Sequence, residues 1–392
     1  MNFRAWLISN LVVILSNMQV LYTFISIPLE KELHLTSTQI ALANSIYTWI
    51  FAVFQLFSGT TFSIISSRKV YFFSIIAIIL GFILLINSAS FISIILSQVL
   101  LAVGASFGFV GAAYFSSICF PIKKFGLIFS FVQTISSLAA FGSQILFITL
   151  ISMKIYWKHL IIGVIIYGIF TLALVFFCLN MSEFKEEKHN KLYDTLVAII
   201  DSILMVLRIR DIWITSVVGA ATFGTFLALN TLWGPRLLSD HGFNSMQSGV
   251  ATAILWFGLA VGAPVTDQIS RLFKNRRDVI SIFAVIQGIS IIILIYSKTI
   301  IAAYICMFIF GFASGGHMLN FTVGSDLVRR EYISTTSSII NGIMFVGSGI
   351  IVYILALLSK NHKHAFFIIF VILITAAALN YLTKEIYTKQ GT

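Results

Sequence analysis

The sequence predicts an all-α polytopic membrane protein, with twelve transmembrane helices in two six-helix bundles related by a parallel pseudo-repeat. Three observations predict it. Hydrophobic residues make up 59% of the 392, charged residues only 10%, and the mean hydropathy is +1.00; a soluble domain carries roughly 25% charged residues. Apolar segments of about 20 residues, enough to cross a bilayer, recur along the chain. Landmarks in the first half also return in the second at a nearly constant offset.

The twelve segments lie at roughly 6–27, 39–62, 70–87, 91–115, 126–151, 159–180, 211–233, 246–268, 279–297, 300–322, 335–358 and 364–383. We number them spans 1 to 12. The first contains Asn17 and Gln19, is too long for a signal-peptide core and has no obvious small-residue cleavage site, so it reads as a retained span. An even count places both termini on one side. With the termini inside, the inner segments hold 18 Lys and Arg, from Arg4 to Lys389, against 7 outside, so the positive-inside rule predicts cytoplasmic termini.

The repeat is visible at paired landmarks. Span 1 is expected to end at Pro28 and span 7 at Pro235. Leu35-Thr36-Ser37-Thr38-Gln39 opens span 2 and Phe243-Asn244-Ser245-Met246-Gln247 opens span 8, each with an N-cap residue three positions before a Gln. Arg68-Lys69 and Arg276-Arg277 follow spans 2 and 8. Lys123-Lys124 and Arg329-Arg330 precede spans 5 and 11. The offset is 207 or 208 residues at the landmarks around spans 1, 2, 7 and 8. The domains expected are an N-terminal half, 1–181, a cytoplasmic linker, 182–210, and a C-terminal half, 211–392. Within the linker, Leu192, Leu196, Ile199, Ile200, Ile203 and Leu207 recur at helical spacing. They predict an amphipathic helix on the membrane surface or on the bundle's inner ends, with a mere tether as the alternative.

Composition excludes several function classes. The net charge of +11 sits in short loops between apolar spans, as membrane topology demands, so nucleic acid is not expected as a partner. Cys119, Cys178 and Cys306 have neither disulfide nor ligand spacing. No Gly-x-x-x-x-Gly-Lys-Ser/Thr phosphate loop is present, and no metal-ligand cluster or paired catalytic groups, so neither ATP, a metal, a cofactor nor an enzyme activity is expected.

With these features in place, the whole chain resembles the major facilitator superfamily (MFS) of secondary transporters. That family carries a loop signature after spans 2 and 8: Gly, an acid four positions on, then basic residues. Here Gly59 is followed by Ser63 at the acidic position, with Arg68 and Lys69 at the basic end. After span 8, Gly262-Ala263-Pro264 and Arg276-Arg277 match, but Arg271 stands at the acidic position and Asp267 one turn earlier. The resemblance makes Gly59, Arg68, Asp267 and Arg271 gating candidates and puts the usual charge latch in doubt. Asp326, beside Arg329 and Arg330, is the candidate for a gate or loop ion pair. Span 4 has Gln98 where many members have Arg, and span 5 lacks the Gly-Pro motif of drug/proton antiporters. Trp233-Gly234-Pro235, Gly258 to Pro264, Gly311 to Asn320, and Asn341 look closer to bacterial phagosomal nutrient transporters; siderophore transporters share this texture.

In lipid, a polar side chain faces the bundle interior or water, and the resemblance implies a solute site near the midplane. The binding candidates are Asn17 and Tyr22 in span 1, Tyr47 in span 2, and Gln133 and Ser137, which share a face of span 5. Asn230 in span 7, His317 and Asn320 in span 10, and Asn341 in span 11 complete the set. Each could instead bond between helices, as polar groups in membrane bundles do. His317 is the ionisable side chain deepest in a span and the proton-coupling candidate.

The function expected is proton-coupled secondary transport of a small polar solute, an amino acid or nucleoside-like nutrient, by a monomer in a bacterial inner membrane. The alternatives are transport or export of an organic anion such as a carboxylate siderophore, and a non-transporting membrane sensor.

Overall fold

The computed structural model describes residues 3–179, 192–358 and 362–384. Positions 182–191 of the predicted linker lie outside the described residues. Among those described, everything regular is helical, and eleven helices are long and apolar enough to cross a membrane. The remaining predicted span is the helix Ser37–Ile64, 28 residues without a charged side chain. Residues such as Phe73, Ile92, Phe170 and Phe177 are exposed, as lipid-facing side chains are.

Both expected N-caps form capping boxes. Gln39 N donates to Thr36 Oγ1 at 3.2 Å while Thr36 N donates to Gln39 Oε1 at 2.9 Å. Gln247 N donates to Asn244 Oδ1 at 2.9 Å and Asn244 N to Gln247 Oε1 at 3.0 Å. Each reciprocal pair satisfies two backbone donors that a helix start leaves open.

The prolines do not end their helices. Helix Tyr22–Glu32 carries Pro28 inside it and continues to Glu32, which accepts from Trp157 Nε1 at 2.7 Å and Tyr156 Oη at 3.1 Å. In span 7, a π-turn over Leu229–Trp233 leads into helix Gly234–Asp240, with Pro235 in its first turn. Gly234 N–H reaches back to the Leu229 carbonyl, so helical bonding runs without a break up to Pro235.

The non-α turns fall in a pattern. Span 1 is interrupted by the 3₁₀ turn Asn17–Leu21, and span 10 by the 3₁₀ turn Gly315–His317. Span 4 breaks at Ser106–Phe107, between helices Phe91–Ala105 and Gly108–Cys119, and span 7 carries the π-turn. Spans 2, 3, 5, 6, 8, 9 and 11 run as unbroken α-helices, and span 12 as His362–Leu379 closed by a terminal 3₁₀ turn. Each broken span thus opens a set of three, which is the internal repetition within halves that transporter folds show.

The chain packs as two compact units. One comprises Met1–Ile122, Ser143–Met205 and Glu331–Gly342; the other comprises Lys123–Gly142, Val206–Arg330 and Ile343–Thr392. The opening stretch of span 11 therefore packs with spans 1–4 and 6, and the opening stretch of span 5 with spans 7–10. In the first unit, Ser74 Oγ donates to the Gly104 carbonyl at 2.7 Å and Ser97 Oγ to the Gly81 carbonyl at 2.9 Å, binding spans 3 and 4 backbone to side chain. In the second, spans 8 and 10 meet through Gly258, Gly262, Gly311 and Gly315. A Cβ on any of these would strike the opposite backbone, so missing side chains bring the two helices together. The linker helix Leu192–Leu207 buries Ile199 and Val206 and exposes Val197, Ile200 and Leu204.

Candidate functional site

The second unit holds a buried polar column on spans 7, 9 and 10. At its head, Gln287 Nε2 donates to Ser314 Oγ at 2.6 Å and to the Thr222 carbonyl at 3.1 Å. Below it, the 3₁₀ turn redirects the backbone: Met318 N–H bonds to the Gly315 and Gly316 carbonyls, and the Ser314 carbonyl lies 2.6 Å from His317 Nδ1. A carbonyl oxygen only accepts, so Nδ1 carries the hydrogen and Nε2 of the neutral ring is the acceptor. The imidazole stacks on Phe223 at 4.4 Å between centroids and meets the edge of Phe321 at 6.2 Å. Asn320 closes the column. It takes a hydrogen bond from Thr215 Oγ1 at 2.9 Å and donates to the His317 carbonyl at 3.1 Å. His317 and Asn320 are both buried.

The structure thus brings together two of the predicted binding residues, His317 and Asn320. Gln287, Ser314 and Thr215 were missed; their signal was a polar side chain within an apolar span, the same that marked the others. Two further candidates in this unit have local partners. Gln133 Nε2 donates to Ser137 Oγ at 2.9 Å, and Asn230, in the π-turn, donates to the Thr252 carbonyl at 3.3 Å.

The remaining binding candidates belong to the first unit. Asn17 opens the 3₁₀ turn of span 1, and Tyr22 follows it, buried. Tyr47 stacks on Phe51 at 5.9 Å. Asn341 is buried in span 11. Gln19, in the same 3₁₀ turn, donates to Gln98 Oε1 at 2.7 Å, an inter-span bond that spacing alone did not reveal.

The gating candidates divide. A Cβ on Gly59 would run into the Ser334 carbonyl, so spans 2 and 11 touch backbone to backbone there. One turn on, Ser63 Oγ lies 3.0 Å from Ser334 Oγ, and Thr60 Oγ1 lies 3.0 Å from Thr335 Oγ1. Hydroxyl pairs occupy the place where the family's carboxylate was expected. On the other unit, Asp267 is 2% exposed, and its Oδ2 accepts from Arg271 Nε at 2.7 Å. Arg271 Nη2 donates to the Lys123 carbonyl at 3.2 Å, and a Cβ on Gly126 would crowd Thr322 Oγ1 at 2.7 Å as well as the Asp267 carboxylate. Thr134 Oγ1 adds a bond from span 5 to the Ala260 carbonyl of span 8 at 2.8 Å. Arg68 turns elsewhere: it donates to the Phe176 carbonyl and lies 4.7 Å over the Phe176 ring, which ties span 3 to span 6. Asp326 pairs with Arg276 at the start of span 9. Arg330 is exposed at the 3₁₀ turn Arg330–Tyr332.

The sequence profile of the Major Facilitator Superfamily matches residues 7–352. No curated protein sequence matches the chain. Among solved structures, a variant of the E. coli fucose:proton symporter FucP is similar, with a TM-score of 0.72 and 14% sequence identity over 97% of this chain and 98% of that one. That likeness shows the fold. The matched profile spans most of the chain and accords with its membrane-crossing helices. The chain belongs to the Major Facilitator Superfamily and is a multi-pass membrane transporter, not an enzyme.

Proposed function

We propose that this transporter carries a small polar solute, amino acid or nucleoside-like, coupled to protons by alternating access. Its setting is a bacterial inner membrane with both termini cytoplasmic, and its working form a monomer. The observation that supports coupling is His317. Its column partners Thr215, Thr222, Gln287, Ser314 and Asn320 are uncharged, and its Nδ1 is committed to a carbonyl. Nε2 is therefore the atom that takes up and returns a proton. Amides and hydroxyls suit a neutral or zwitterionic solute, because each can donate or accept. FucP, the fold neighbour, is a proton symporter, which agrees with this coupling. In the same reading Gly59, Asp267 and Arg271 serve the cytoplasmic gate.

The test begins with cells that do or do not make the protein, grown in defined medium with the spent medium profiled. A compound depleted only when the protein is present is the lead solute. In proteoliposomes loaded with a pH-sensitive dye, adding that compound outside should carry protons inward. His317→Gln should lose accumulation against a gradient yet keep solute exchange. Full pH-driven accumulation by His317→Gln would remove the coupling role.

A further inference from the structure

We infer that Gln98, with Gln19 and Tyr22, forms a second solute-contacting cluster that recognises an uncharged hydrogen-bonding group of the solute. This rests on the transporter reading above and names residues of the first unit that carry its specificity.

Gln98 is 0% exposed in the middle of an apolar helix of span 4. Its Oε1 accepts from Gln19 Nε2, and that bond holds the amide in one orientation. Its own Nε2 has no partner among the described residues. Exchanging the two amide ends on both residues would keep the inter-span bond and still leave one polar end of Gln98 open, so the opening does not depend on how the amides are assigned. A buried amide end without a partner is rare in a finished interior, because it has given up water and gained nothing in return.

Tyr22 repeats the situation. It is 5% exposed, and its hydroxyl has no partner among the described residues. The 3₁₀ turn Asn17–Leu21 links it to the amide pair, with Tyr22 N–H bonding back to the Gln19 carbonyl. In 3₁₀ geometry, side chains three apart eclipse one another, so Gln19 and Tyr22 share one side of span 1. Gln19 is only half-buried. Two buried polar groups without a partner, one on Gln98 and one on Tyr22, with no charged group on these three residues, fit an uncharged hydroxyl or amide of the solute rather than a carboxylate.

The test compares the full-length protein with Gln98→Leu and Tyr22→Phe in two measurements. The first is depletion of a defined medium holding the common amino acids and nucleosides, followed by mass spectrometry. The second is thermal unfolding of the purified protein without solute. A solute-contacting Gln98 predicts that Gln98→Leu melts at the wild-type temperature or higher, because an orphaned buried amide has been removed. It also predicts depletion at least about ten-fold slower, with Tyr22→Phe slowed less. Depletion at the wild-type rate would show that only water sits there. Melting several degrees below wild type would show that the Gln19–Gln98 bond is structural. Either result overturns the inference and leaves the transporter reading standing. If wild type depletes none of these compounds, the proposed solute class falls, and the melting comparison alone decides the role of Gln98.

Discussion

The carboxylate of Asp267 lies 2.7 Å from the guanidinium of Arg271, one helical turn further along span 8, and that guanidinium also reaches the backbone carbonyl of Lys123. The pair is lopsided, since the side chain of Asp267 is 2% exposed and that of Arg271 42%. Arg271 can be resolvated if its partner is lost, whereas a carboxylate left behind cannot. Asp267→Asn should therefore cost about 1–2 kcal/mol, below what a fully buried pair loses. Arg271→Gln should cost more than Asp267→Asn, because it strands a buried charge. Thermal unfolding of both variants and their double mutant gives the order; equal losses would show that burial of Asp267 does not control the pair.

Gly59 and Ser63 make opposite demands on span 11. A side chain at Gly59 must displace the Ser334 carbonyl, so Gly59→Val should abolish uptake and lower the melting temperature. Ser63 is a half-buried hydroxyl 3.0 Å from Ser334 Oγ, and Ser63→Asp would place there an acceptor that the Ser334 hydroxyl can serve. We expect uptake by Ser63→Asp within a few-fold of wild type. Loss of uptake on the scale of Gly59→Val would mean that this contact does not accept a charge.

Thr215 and Asn320 join spans 7 and 10 through one buried hydrogen bond of 2.9 Å. Thr215→Val keeps the shape and leaves Asn320 Oδ1 without its donor, at a cost of roughly 1–3 kcal/mol. Because Asn320 also holds the His317 carbonyl, uptake should fall with stability. A Thr215→Val protein that melts and transports like wild type would show that the column tolerates an open carbonyl.

The crossing of spans 8 and 10 depends on close backbone approach. Gly311→Val would drive Cβ into the Leu255 carbonyl, and two packed helices cannot part there without opening the Gly258 and Gly262 contacts too. The expected loss is at least about 1–3 kcal/mol, the usual range for overpacking. Gly142 is the control, because an added Cβ there would meet nothing within 4 Å. Gly142→Ala should melt within a degree or two of wild type. Similar melting of Gly311→Val and Gly142→Ala would refute the close-contact account.

Much of this architecture is local and so was legible in the residues. Span lengths follow from hydropathy, and the N-caps Thr36 and Asn244 from short-range hydrogen-bonding chemistry. The linker's apolar residues recur at helical spacing and a helix runs over Leu192–Leu207, but which of them are covered was not legible: Ile199 and Val206 are buried and Ile200 is exposed. The paired landmarks were visible because a repeat keeps its spacing. What proline does at the ends of spans 1 and 7 was not legible: whether Pro28 and Pro235 stop a helix or ride inside one depends on where the displaced backbone bonds go, and a π-turn supplied the answer in span 7.

The sites divide in the same way. Residue types in an apolar span single out His317 and Asn320, since polar groups in lipid are few. Which carbonyl His317 faces, that Phe223 lies against its ring, and that Gln98 meets Gln19 are contacts between distant stretches of chain. Arg68 and Ser63 sat side by side in one expected signature, yet Arg68 turns to Phe176 and Ser63 to Ser334. Composition and periodicity set which segments enter the bilayer, because transfer from water depends on each residue almost independently. Partner choice inside the bundle was left to tertiary packing, because a buried polar atom takes whichever partner the neighbouring helices bring within about 3 Å.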